Sequence, residues 1–129
     1  MFSGRAVAFE ADDGEYLYTS SRIVFKNILF NTRNAFSSST GIFTAPYAGL
    51  YLFSARICDN RHSTFSIRSN GYIIVETTVN TPGTTVCRSL TCVIDLSYGD
   101  EVYVYVYISK SSSAVDPNVE NKFSGYRIQ

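Results

Sequence analysis

Val102-Tyr103-Val104-Tyr105-Val106-Tyr107-Ile108 alternates two residue types with a period of two. Successive side chains of a strand point to opposite faces, so the valines share one face and the tyrosines the other. The same period recurs upstream. Leu50-Tyr51-Leu52-Phe53-Ser54-Ala55-Arg56-Ile57 puts Tyr51, Phe53, Ala55 and Ile57 on one face and Leu50, Leu52, Ser54 and Arg56 on the other. Thr64-Phe65-Ser66-Ile67-Arg68 alternates polar and apolar, and Ser69-Asn70-Gly71 signals a hairpin turn into Tyr72-Ile73-Ile74-Val75. Further strands are expected at Val7–Glu10, Ile23–Phe25, Ile28–Phe30, Val86–Asp95 and Phe123–Ile128, with a tight turn at Tyr98-Gly99-Asp100. Pro46, Pro82 and Pro117 all fall between strands, where a missing N–H does no harm. Short strands separated by turn signals every ~8–12 residues predict an all-β, antiparallel two-sheet sandwich of jelly-roll type.

The 129 residues make one domain, 1–129. A chain of this length buries about 65–70% of its unfolded surface, enough for a core without metal or disulfide. Ten Tyr and nine Phe suit a pleated, half-buried surface. Eleven basic and eleven acidic residues cancel, with no basic stripe, which argues against nucleic acid as a partner. Near-neutrality also gives little repulsion against self-association. No run approaches the roughly 20 apolar residues of a membrane span, so membrane insertion is not expected. The start, Met1-Phe2-Ser3-Gly4-Arg5, lacks the apolar stretch and cleavage site of a signal peptide. Two readings stay open: a cytosolic protein, or a mature domain without its leader. Three cysteines, Cys58, Cys87 and Cys92, allow one bridge plus a free thiol or three buried thiols, and their spacing matches no zinc pattern. Ser37-Ser38-Ser39 and Ser111-Ser112-Ser113 read as loops, and Gly-X-Y periodicity is absent.

The central block spaces Phe25, Asn31, Phe36, Phe43, Gly49, Tyr51 and Phe53 in a pattern that resembles the signature of the complement component 1q globular domain. Gly41-Ile42-Phe43-Thr44-Ala45-Pro46, Gly49-Leu50-Tyr51-Leu52-Phe53, Gly99-Asp100-Glu101-Val102 and Phe123-Ser124-Gly125-Tyr126 are phrases similar to that family's, from Val7 to Ile128. One position departs: Ala55 stands where the family has an aromatic, so a neighbour, such as one of the extra tyrosines, is expected to fill the space. Gly41 and Gly49 bracket a turn where a positive φ or a close approach is expected. The resemblance implies a ten-stranded jelly roll of the tumour necrosis factor type, a tight homotrimer, secretion to the extracellular space and recognition of other molecules. It implies no cofactor, although some members bind calcium. Invertebrate members are lectin-like and bind microbial or sialylated glycans.

Candidate sites follow from where antiparallel alternation puts the loops. The last strand must run toward the end holding the chain termini, here called the base. Loop Ser109–Lys122 then lies at the opposite end, the apex, with the loops near Asp59–Ser63 and Asn80–Thr84. The turns Ser69–Gly71 and Tyr98–Asp100 fall at the base. Loops on a rigid scaffold carry recognition, so the candidate ligand-binding residues are Asp59, Asn60, Arg61, His62, Asp116, Asn118, Glu120 and Asn121. Alanine substitutions within them are expected to lower ligand binding while leaving the melting temperature nearly unchanged. Cys58, Asp59 and His62 also bring a thiol, a carboxylate and an imidazole together. Thiol and base this close along one chain seldom face each other productively, and no Gly-rich oxyanion motif accompanies them, so no catalytic residues and no enzyme activity are expected. Asp12-Asp13-Gly14-Glu15 resembles a fragment of a calcium loop but lacks an EF-hand's ligand alternation, and is read as a solvated turn. Tyr103, Tyr105 and Tyr107 are either a stacking platform, a subunit contact or simply a packed strand face.

Together these expectations describe a secreted, trimeric recognition protein of innate immunity that binds glycans or microbial and cell-surface patterns. The alternatives are a trimeric protein ligand that clusters a receptor, or a structural module of the extracellular matrix. Leu50 and Leu52, facing away from the core, are expected at the threefold contact. In the family's jelly roll the strand ending near Ile57 lies antiparallel to the one beginning near Thr85. That implies a Cys58–Cys87 disulfide with Cys92 free. Cys87 and Cys92 point to opposite faces of one strand, ~16 Å apart, and cannot pair.

Overall fold

The computed structural model describes residues 5–15, 21–80, 83–110 and 121–129. Its strands, in chain order, are β1 (Ala8–Glu15), β2 (Ser21–Arg22), β3 (Val24–Asn31), β4 (Phe43–Thr44) and β5 (Gly49–Asp59). They continue with β6 (His62–Ser69), β7 (Tyr72–Asn80), β8 (Val86–Leu96), β9 (Glu101–Lys110) and β10 (Lys122–Arg127). One sheet has the order β3-β1-β10-β5-β8; the other has β2-β9-β6-β7, with β4 alongside β9. Every pairing between these strands is antiparallel. This is the expected two-sheet jelly roll.

The sequence alternation sets which side chains enter the core. Val102, Val104 and Val106 of β9 are buried, as are Tyr51, Phe53, Ala55 and Ile57 of β5. Aromatic residues widely spaced in sequence converge between the sheets. Phe9 stacks on Phe36 at 4.8 Å and on Phe43 at 5.3 Å, and meets Phe123 edge-on at 5.1 Å. Phe43 in turn meets Phe53 at 5.2 Å and Tyr51 at 5.5 Å. Such pairs add about 0.5–1.5 kcal/mol each beyond the area they bury. Ala55 is flanked across the sheet by the buried Phe123 and Leu90, so its cross-strand neighbours are not tyrosines.

Polar clamps fix the chain where it leaves β3. The Asn31 side-chain amide donates to the Phe36 carbonyl (2.8 Å), and its oxygen accepts from the Phe36 N–H (3.1 Å). Thr32 Oγ1 accepts from the Ala8 N–H and donates to the Ala8 carbonyl. Between these clamps lies a 3-10 turn, Thr32–Asn34, in which Arg33 and Asn34 adopt left-handed φ values of 58° and 51°. For an ordinary side chain that conformation costs roughly 1–2 kcal/mol. Gly41 (φ 76°) and Gly49 (φ 154°) have positive φ as expected, and a Cβ on Gly41 would collide with the Ile23 carbonyl oxygen.

Two expectations at the first edge need correction. β1 continues through Asp12-Asp13-Gly14-Glu15, which is paired to β3 and is not a solvated turn. Asp12 accepts from Asn27 at 2.7 Å and Glu15 pairs with Lys26 at 2.8 Å, so cross-strand partners offset the poor strand propensity of this stretch. β3 runs unbroken from Val24 to Asn31, where two short strands were expected.

The registers separate the two ends of the sandwich as alternation requires. His62 pairs with Lys110, Cys58 with Cys87 and Arg56 with Lys122, so the ends of β5, β8, β9 and β10 meet at the apex. At the base, Asn70 bridges the two hairpin turns: its N–H donates to the Glu101 carbonyl, its Oδ1 accepts from the Glu101 N–H and its Nδ2 donates to Asp100.

Candidate functional site

The apex begins where β5 turns into β6. Counting back by two from the buried Phe65 and Ile67 reaches Ser63, Arg61 and Asp59, all on the inward face. All three are buried, Asp59 at 1% and Arg61 at 0% exposure. Asp59 is the hub. Its Oδ1 accepts from Arg61 Nε at 3.0 Å and from the Asn60 N–H at 2.9 Å, and its Oδ2 accepts from Ser63 Oγ at 2.8 Å. A buried ion pair of this kind is costly to break, because the survivor keeps its charge without the water it gave up.

Two further ties hold the same end. Cys58 and Cys87 are joined by a disulfide, with Cα atoms 4.0 Å apart, in the pairing implied by the resemblance. Asn121, 3% exposed, accepts the Cys58 N–H at 2.8 Å and anchors the start of β10 to β5. Cys92 is the free cysteine, half-buried on β8, and burial pushes its thiol up to about 11.

The expected ligand-binding residues therefore divide. Asp59, Arg61 and Asn121 point inward and frame the apex; they cannot touch a ligand in this conformation. Asn60 and His62, on the opposite face of the same turn, are partly exposed. The Asn60 carbonyl accepts from the Gly83 N–H at 2.9 Å, which draws the turn between β7 and β8 to the same end. Asp116, Asn118 and Glu120 lie outside the described residues. The period-two count that places Asp59 and Arg61 is present in the sequence, but it has to be carried through the turn to be seen. The disulfide also removes the Cys58 thiol, so the thiol, carboxylate and imidazole near this turn hold no nucleophile.

The tyrosine row has a different character along its length. Arg68 lies over the Tyr105 ring at 4.0 Å and Arg22 over Tyr103 at 5.8 Å. Tyr107 is exposed at the apex end of β9. On the opposite sheet, Leu52 stands in register between Tyr126 and Val93, both about half exposed, and Phe30 lies further along the same outer face.

Two five-stranded antiparallel sheets, an inward aromatic cluster and loops gathered at two ends define a jelly-roll domain. The C1q domain profile matches residues 8–128, and the chain belongs to that family. It is similar to Complement C1q tumor necrosis factor-related protein 7 of Mus musculus, with 29% identity over 109 residues. That match covers 82% of this chain but only 38% of the mouse protein. In fold it resembles the globular domain of zebrafish complement 1qA protein, with a TM-score of 0.74 at 19% identity, covering 95% of this chain and 97% of that one. It also resembles murine APRIL, with a TM-score of 0.71 at 9% identity, covering 95% and 99%. Domains of this family are recognition modules or ligands and not enzymes, and they commonly form trimers.

Proposed function

We propose that the chain is a secreted, homotrimeric recognition domain that binds glycans or microbial and cell-surface patterns through its apex. The observation that carries this reading is the contrast between the two ends. The Asn70 and Asp100 turns at the base lock onto each other, whereas at the apex the partly exposed Asn60 and His62 stand on a frame of buried ties. The segment 111–120, with Asp116, Asn118 and Glu120, joins two strand ends that both stand at this end. Amide and imidazole groups suit sugar hydroxyls and carboxylates. Three such surfaces on one trimer turn weak single contacts into avidity on a repetitive target.

The test is a glycan array with free-sugar competition, run on wild type and on Asn60→Ala, His62→Ala and Tyr72→Ala. The apex variants should lose binding severalfold with melting temperatures within a few degrees of wild type. The base variant should bind normally. Binding that survives both apex variants but vanishes in Tyr72→Ala would move the site to the base. Arg61→Ala is a different experiment: it should destabilise the fold by about 3–5 kcal/mol, because it strands the buried Asp59 carboxylate.

The second reading is a trimeric ligand that clusters a receptor, which the likeness to a tumor necrosis factor-related protein favours. It predicts a silent glycan array and capture of a single cell-surface protein by the trimer.

A further inference from the structure

Three arginines from separate parts of the chain converge on one ring at the base. The guanidinium carbons of Arg5 and Arg33 each lie 5.4 Å from the centroid of Tyr47, and that of Arg127 lies 5.8 Å from it. The three charges are therefore within twice that distance of one another. A ring has two faces, so at least two of the three share one. Among the described residues no carboxylate forms an ion pair with any of them. Asp100, at the same end, is already taken by Asn70 and the Ser97 N–H. A ring quadrupole attracts a cation but does not cancel its charge. The cluster concentrates three positive charges on a chain whose net charge is zero, with the Glu101 carboxylate in the groove that Arg33 also lines.

Arg33 reaches the ring at a cost in backbone strain. It holds a left-handed φ of 58°, a conformation that glycine would adopt freely, and its side chain is exposed. Strain at an exposed residue that packs no core points to a use for the side chain. Arg33 also lines a groove with Asn34, Ser37, Thr40, Tyr98 and Glu101, whose hydroxyls, amide and carboxylate suit a sugar ring, with Tyr98 79% exposed beside them.

We propose that Arg5, Arg33 and Arg127 around Tyr47 form a second binding site, at the base, for a compact oxyanion: a sulfate ester or phosphate monoester carried on a sugar or free in solution. Guanidinium forks match the oxygens of such groups. Arg127 already spends Nε and one terminal nitrogen on the Ala48 carbonyl, which orients the remaining N–H groups of its fork. The cluster is local and not a stripe, so it suits one small anion and not a nucleic acid backbone.

The experiment is an NMR titration of the arginine Nε–H resonances at constant ionic strength, with glucose 6-sulfate, glucose 6-phosphate, inorganic sulfate and glucose as probes. The expected result is saturable shifts with the anionic probes and none with glucose. Tighter binding of the sugar esters than of inorganic sulfate assigns the groove to the sugar; equal binding makes this a site for the free ion. Arg33→Gly should weaken binding at least tenfold while the melting temperature stays level or rises, since the strain is relieved. Arg5→Ala, which alters an exposed side chain, should weaken binding without touching the turn. Absence of saturable shifts in wild type, binding of glucose as tight as that of its esters, or undiminished binding in both variants would overturn the proposal.

Discussion

Gly125 shows how one residue can govern a core. It sits on β10 between Phe9 of β1 and Phe53 of β5. A Cβ there would come within 2.6 Å of the Phe53 ring and 2.9 Å of the Phe9 ring. The rings occupy the space that any other residue would need. Gly125→Ala should therefore cost about 1–3 kcal/mol through overpacking, read as a lowered denaturation midpoint. Cys92 offers a second residue-scale test. Burial raises its thiol from 9.0 to about 11, so the folded chain holds the proton where the unfolded chain has lost it. Its contribution to stability is complete below pH 9 and declines as the pH rises from 9 to 11. Cys92→Ala should flatten that decline in a urea-melt series. In native wild type at neutral pH, the thiol should react more slowly with a disulfide reagent than after denaturation.

At the scale of elements, the apex ends of β5 and β8 are cross-linked by Cys58–Cys87. The bridge closes a long loop, and on the chain-entropy model its removal should cost about 3–4 kcal/mol. Thiol titration after denaturation without reductant should find one thiol per chain; three would refute the bridge. Cys58→Ala/Cys87→Ala should lower the melting temperature. The central strands were legible because their alternation is unbroken: Val102–Ile108 and Leu50–Ile57 lie in β9 and β5, the valines of one and the Tyr51/Phe53 face of the other turned inward. Legibility failed at the edge. Ala11-Asp12-Asp13-Gly14-Glu15 has the composition of a turn, and only its pairing with β3 makes it a strand. The candidate site was legible as a location and not as a set of contacts. Asp59 and Arg61 look like surface polar residues because their burial depends on each other, and a sequence does not display a partner that must be brought inward with the charge. The arginines around Tyr47 leave no sequence signal for a related reason, since Arg5, Arg33 and Arg127 meet only once the sandwich is closed.

At the scale of the whole molecule, an apolar row on one outer face asks for cover. Leu52, Val93 and Tyr126 form a row across the outer surface of the β3-β1-β10-β5-β8 sheet. Leu52 was expected at a threefold contact, and its neighbours in register extend the apolar surface on either side. If this row is the trimer contact, Leu52→Glu should shift light-scattering mass from trimer toward monomer, because a charge buried there without a partner costs several kcal/mol. A wild-type chain that is a stable monomer at micromolar concentration would refute the assembly itself. The same variant should leave the monomer's melting curve nearly unchanged, since Leu52 faces away from the core.

β1 and β10 lie side by side and antiparallel, with Ala8 opposite Tyr126 and the Arg127 N–H donating to the Val7 carbonyl. A pulling force applied between these two points meets the ladder end-on. The strands peel apart one hydrogen-bonded pair at a time, each pair carrying the full load in turn. A force applied between the base and the apex runs along the strands, and all the rungs of a ladder share it. The domain is therefore mechanically soft when pulled apart between Ala8 and Tyr126 and stiff when pulled from base to apex.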